Sequence, residues 1–225
     1  MSQDLVLRIL EYLSIFIALL VVLPFHEFAH AFAAVKSGDM TPKLYKRYTL
    51  NPLAHFDIYG LLCFIFAGFG WAKPVPVNPN NFKHYKRGCF FVAIAGVSMN
   101  YIIAFLAYPL FYLVLLYVPE FGYFTYVLQS SLAYMFRLSL VFFVFNLIPV
   151  YPLDGFRIVD VFSKKRSWLY SFLRNYGIYV LYFLVFLSII ADYTGLWQLD
   201  ILGIALNYAV GIIGIPITSF WRLIF

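Results

Sequence analysis

The chain has 225 residues, 64% hydrophobic and only 12% charged. Soluble domains carry about a quarter charged residues, so this composition excludes a soluble globule and makes lipid the main solvent. The net charge of +6 sits in short basic clusters between apolar runs; this suits a negative membrane surface and excludes a nucleic-acid partner, which needs a basic stripe or an aromatic-basic module.

In chain order, the first apolar run extends from about Leu5 to Val35. It is long enough to cross a bilayer, which takes about 20 helical residues, and too long for a cleavable leader. Near its end stands His26-Glu27-Phe28-Ala29-His30. Residues i and i+4 share a helix face, so both imidazoles can bind one ion, and Glu27 is placed to reach a water on it. A catalytic zinc takes three protein ligands and keeps one open position. Three ionisable groups within five residues of an apolar helix mark a functional site, because each is costly in lipid.

A basic stretch from Lys36 to Arg47 follows, then Asn51-Pro52-Leu53-Ala54-His55-Phe56-Asp57. The apolar stretch Ile58 to Trp71 is too short to cross easily. Both of its flanks carry basic residues, so it is expected either to dip into the membrane and return or to pack against the helices as a short hairpin, turning at Gly60, Gly68 and Gly70. Pro74, Pro76 and Pro79 then keep Lys73 to Asn81 extended. After Lys83, Lys86 and Arg87 come spans at about Cys89 to Val118 and Tyr123 to Val150, joined by a turn whose charge is Glu120.

Asn146-Leu147-Ile148-Pro149-Val150-Tyr151-Pro152-Leu153-Asp154-Gly155 ends the third span, where two prolines break the helix and Gly155 permits a sharp turn. Lys164, Lys165, Arg166 and Arg174 form another basic group. The fourth span covers about Trp168 to Ile190, and an acidic turn from Asp192 to Asp200 leads to the fifth, about Leu199 to Ile224, whose end bends or frays at Pro216. Cys63 and Cys89 lack metal spacing and read as small hydrophobes.

Basic loops stay in the cytoplasm. That puts the amino terminus outside, and the 36–87 and 151–167 regions and the carboxyl terminus inside. The third metal ligand has three candidates, His55, His84 and Asp154. Loop charge alone places Asp154 at the same leaflet as His26 and His30. The expected fold is an all-α polytopic membrane protein with about five transmembrane helices and one re-entrant segment. It forms a single domain over 1–225, with a catalytic core at about 5–160 and two accessory helices at about 168–224; 225 residues leave no room for a second globular domain. A divalent-metal transporter is the rival reading, but its path needs polar residues that the last two spans barely offer.

His26 to Ala34 (HEFAHAFAA) followed by Asn146 to Gly155 (NLIPVYPLDG) resembles the site-2 protease family of zinc intramembrane peptidases, in its short bacterial form. The likeness extends through Thr41 to Gly60 and Gly70 to Phe82. It implies one Zn2+ per chain held by His26, His30 and Asp154, with Glu27 as general base. It also implies a three-helix catalytic core and Asn146 as a supporting polar group. Ala95-Gly96-Val97-Ser98-Met99-Asn100 matches the family's small motif in the second core helix, with Val97 in place of the usual proline. His55 is left between a supporting role at the metal or substrate and an ordinary loop histidine. The implied partners are a membrane-protein or peptide substrate and the lipid bilayer, in a bacterial plasma membrane with the site towards the cytoplasm. Oligomeric state and substrate are not legible.

Overall fold

The computed structural model describes residues 3–67, 70–119, 122–163 and 167–225, without the side chains of 65–67. Gly68, Glu120, Lys164, Lys165 and Arg166, all used in the sequence reading, lie outside the described residues. The helices are α1 (Gln3–Ser37), α2 (Thr41–Leu44), α3 (Pro52–His55), α4 (Ile58–Ala67), α5 (Tyr85–Tyr117), α6 (Tyr123–Asn146), α7 (Asp154–Phe162), α8 (Trp168–Asn175), α9 (Gly177–Thr194) and α10 (Ile201–Arg222). Among the described residues, α1, α5, α6, α9 and α10 are long and apolar enough to cross a membrane. The protein is an all-α polytopic membrane protein.

α1, α5 and α6 pack against one another as a three-helix core. Apolar burial drives helices together weakly in lipid, so close packing of small residues matters most. Small residues are prominent among those buried: Ala18, Ala29, Ala31 and Ala34 on α1, and Ala93, Gly96 and Ala104 on α5. α10 joins the same core. Ile217 packs with Ala104, Tyr108 and Leu140, and Trp221 Nε1–H donates to the Phe105 carbonyl at 2.9 Å.

The short apolar stretch leaves and returns on one side. A β-carbon on Gly60 would lie 2.1 Å from the Trp71 carbonyl oxygen, and one on Gly70 would lie 2.3 Å from that of Gly60. Only glycines allow these backbones to touch. At the base of the loop, an antiparallel bridge joins Phe56 and Ala72, and Lys73 N–H donates to the His55 carbonyl at 2.7 Å. Residues 73–78 are non-helical, but Pro79–Asn81 coil into one 3-10 turn, capped by Asn80 N–H on Asn78 Oδ1 at 3.1 Å. The expected extension therefore stops three residues early, at an asparagine cap.

Asp39 anchors this segment to the inner end of α1. Fully buried, its carboxylate accepts from Asn78 N–H at 2.7 Å and Asn81 Nδ2–H at 2.8 Å, as well as from Thr41.

Three boundaries differ from expectation. α6 ends at Asn146, because residues 147–153 coil into a turn around Pro149 and Pro152 before α7 begins at Asp154. The fourth segment divides into α8, which ends in Arg174 and Asn175, and α9. The break falls where Gly177 sits under Val150, whose Cγ1 would be 2.9 Å from an added β-carbon. α10 runs on through Pro216 to Arg222 instead of fraying there.

Candidate metal centre

Two helices and one turn supply the centre. His26 and His30, one helical turn apart, project from α1 on one face. Asp154 opens α7 after the proline-rich turn, and α7 leans on α5, with the Phe90 and Phe162 rings 5.8 Å apart. The turn requires Gly155, since a β-carbon there would lie 2.3 Å from the Leu147 carbonyl oxygen.

The three side chains are buried and meet at one point. His26 Nε2 lies 3.0 Å from His30 Nε2. Asp154 Oδ2 lies 3.0 Å from His30 Nε2 and 3.5 Å from His26 Nε2. His30 Nδ1 is 2.7 Å from the Val92 carbonyl. A carbonyl can only accept, so Nδ1 carries the ring proton and Nε2 presents a bare lone pair. Asp154 Oδ2, though buried, receives no hydrogen bond among the described residues. It faces the Nε2 atoms of both histidines at 3.0 and 3.5 Å, an arrangement that a shared proton or a shared cation can bridge. The arrangement fits a cation: a tetrahedral zinc with ligands at about 2.0–2.1 Å spaces them about 3.3 Å apart, beside the observed 3.0, 3.0 and 3.5 Å.

α5 provides the second layer. Val92, Gly96 and Asn100 recur every four residues and so share a face against the histidines. The Asn100 amide meets His26 Nδ1 at 3.0 Å. The contact is made through Asn100 Nδ2, and it orients the His26 ring with Nε2 towards His30 and Asp154. A β-carbon on Gly96 would lie 2.3 Å from His30 Nε2, so glycine keeps the ion's place clear.

Glu27 is buried beside His26. Its Oε2 accepts the Val75 N–H at 3.0 Å, which fixes the carboxylate against the non-helical segment. Asn146 lies one turn before the proline-rich loop, and its Nδ2–H donates to the Phe142 carbonyl at 3.0 Å. His55 is not among the three clustered groups. It is buried in its loop, with Nε2–H on the Thr49 carbonyl at 2.8 Å. His84 stands at the amino-terminal cap of α5.

Sequence reasoning passed over Val92, Val75 and Asp39. Val92 could have been found from the four-residue repeat ending at Gly96 and Asn100. Val75 was findable as the lone donor in Pro74-Val75-Pro76. Asp39's local partner is Thr41, two residues on, but its tie to Asn78 and Asn81, about forty residues on, left no mark in the local sequence.

A buried group of three potential ligands with an adjacent carboxylate, set in a bundle of apolar helices, fits a membrane metallopeptidase. The profile of Peptidase family M50 matches residues 123–188, a stretch that contains Asn146 and Asp154 but not the paired histidines. A protein of Bacillus subtilis (strain 168) named "Putative zinc metalloprotease YwhC" is 37% identical over 195 residues, which is 86% of this chain and 87% of that one. No solved structure matches the chain. The chain belongs to peptidase family M50, the site-2 proteases, and is a zinc metallopeptidase.

Proposed function

We propose that the protein hydrolyses peptide bonds of membrane-spanning substrates at the cytoplasmic leaflet. One zinc is held by His26, His30 and Asp154, and Glu27 acts as general base. The observation that carries this reading is the convergence of two imidazole nitrogens and one carboxylate oxygen, all buried, at one point.

The zinc, when bound, polarises the scissile carbonyl and acidifies the attacking water. Asn100 and the Val92 carbonyl hold both imidazoles with Nε2 towards the ion. Val75 N–H takes Glu27 Oε2, which leaves Oε1 to accept the water proton and pass it to the leaving amine. Asn146 is a supporting polar group at the mouth of the turn that carries Asp154, and His55 supports the base of the re-entrant loop rather than the ion.

A membrane helix hides its peptide bonds, so the substrate must be extended. The segment from Lys73 to Asn78 lies beside Glu27 and suits pairing with an extended chain. Its donors are mostly committed: Lys73 to His55, Val75 to Glu27 and Asn78 to Asp39, while the prolines have none. Pairing therefore relies on substrate N–H groups donating to this segment's carbonyls. Helix-breaking residues in the substrate are expected to speed cleavage. The basic loops put the centre towards the cytoplasm, with residues about 5–160 as the catalytic core of a single domain.

The test is cleavage of a transmembrane peptide by purified protein in detergent. Wild type should cut it and stop on chelation, while Glu27→Gln keeps zinc and does not cut. Full activity in Glu27→Gln would overturn the assignment of the base.

A further inference from the structure

A cavity of about 550 Å³ adjoins the metal centre. One wall is the non-helical segment at Pro74, Val75 and Val77, and the facing wall is formed by α7 and α8, with Arg157, Asp160 and Arg174. Val75 touches Glu27 and Arg157 touches Asp154, so the cavity runs directly beside the reacting groups.

Its charges are unequally matched. Tyr170 O–H donates to Asp160, and Arg174 Nη1–H donates to Tyr170 at 3.1 Å, so these two opposite charges are joined through one phenol. Arg157 differs. Its one ion pair among the described residues is with Asp154 Oδ1 at 3.5 Å, through a side chain 43% exposed, and none of its five donors makes a hydrogen bond there. The wall opposite it, at Pro74, Val75 and Val77, carries no carboxylate to occupy it. A planar guanidinium with free donors binds a carboxylate in two-point fashion.

We propose that this cavity seats the substrate stretch on the cytoplasmic side of the cut, and that Arg157 binds an acidic side chain there. The place of the cut rests on the metallopeptidase reading above. Arg157 stands one helical turn from Asp154. An extended substrate advances about 3.3 Å per residue, so the favoured acid falls within about three residues of the scissile bond.

Binding separates this proposal from catalysis. Zinc-loaded Glu27→Gln protein in detergent is titrated with short fluorescein-labelled peptides. Each carries a helix-breaking Asn-Gly pair and a single Asp or Asn stepped through neighbouring positions. At one position Asp should bind roughly tenfold more tightly than Asn, the scale of one charge-assisted contact. A second substitution, Arg157→Gln, should erase that difference, and Arg157→Glu should turn the preference towards Lys at the same position. A preference that survives Arg157→Gln, or no preference at any position, overturns the proposal. So does a uniform loss of peptide binding and of zinc in Arg157→Gln, which would make the residue a support for Asp154. An intact acid preference in a protein whose wild type cuts nothing would sink the hydrolytic reading and leave this one standing.

Discussion

A β-carbon on Gly96 would intrude on both imidazoles, 2.3 Å from His30 Nε2 and 2.6 Å from His26 Cε1. Gly96→Ala is therefore expected to weaken zinc affinity about 10–100-fold, the range for disturbing groups that orient metal ligands. Competition with a zinc-sensitive dye should show this while the helical circular dichroism stays unchanged. Asp39 makes a second residue-scale test. Burial pushes its carboxyl up, but the hydrogen bonds from Thr41, Asn81 and Asn78 outweigh burial and hold it below the usual carboxylate range. Its contribution to stability is thus complete above about pH 4 and is lost as pH falls through the lowered folded value. Asp39→Ala removes the acceptor shared by Thr41, Asn78 and Asn81, whose donors water can partly satisfy, and should cost about 1–2 kcal/mol near neutral pH. The gap in thermal stability between wild type and mutant should narrow as the medium is acidified. A gap that widened on acidification would contradict the carboxylate's role.

Among the elements, the non-helical segment between α4 and α5 would, on the proposed reading, couple substrate contact to the base. Val75 N–H donates to Glu27 Oε2, and Val75 stands between Pro74 and Pro76. Val75→Pro removes that donor from a stretch whose neighbours already hold proline geometry. Turnover should fall about tenfold or more through loss of positioning, with zinc content and melting temperature held, while Val75→Ala stays near wild type in a cleavage assay. Part of this element was legible: the prolines predict the absence of helix over 73–78, whereas Gly60, read as a turn, lies inside α4 and serves close contact with Trp71. The bond to Glu27 was not, because it joins a backbone N–H to a side chain 48 residues away and leaves no mark in local pattern. For the same reason α8 was merged with α9, since the break at Gly177 is set by Val150 beneath it rather than by its own neighbours.

For the whole molecule, charge asymmetry and apolar length were enough to give the helices, their order and the shared leaflet of both site motifs, because these depend on lipid as solvent. The paired histidines and Asp154 were visible as motifs, and their meeting was implied by family resemblance and loop charge. The place of α10 was not visible. It reads as an accessory helix, yet Ile217 is 1% exposed within the Ala104, Tyr108 and Leu140 cluster. Ile217→Ala should therefore lower stability by about 1–3 kcal/mol, less than in a water-soluble core because the loss is mainly of packing. Thermal unfolding in micelles measures this; no change would place α10 outside the structural core. The account as a whole depends on one ion gripped by side chains from α1 and α7. Elemental analysis of purified wild type, Glu27→Gln and Asp154→Ala tests this most directly. One zinc per chain is expected in the first two and little in the third. A wild type that neither contains nor takes up zinc, or an Asp154→Ala protein that binds it as tightly as wild type, would contradict the account.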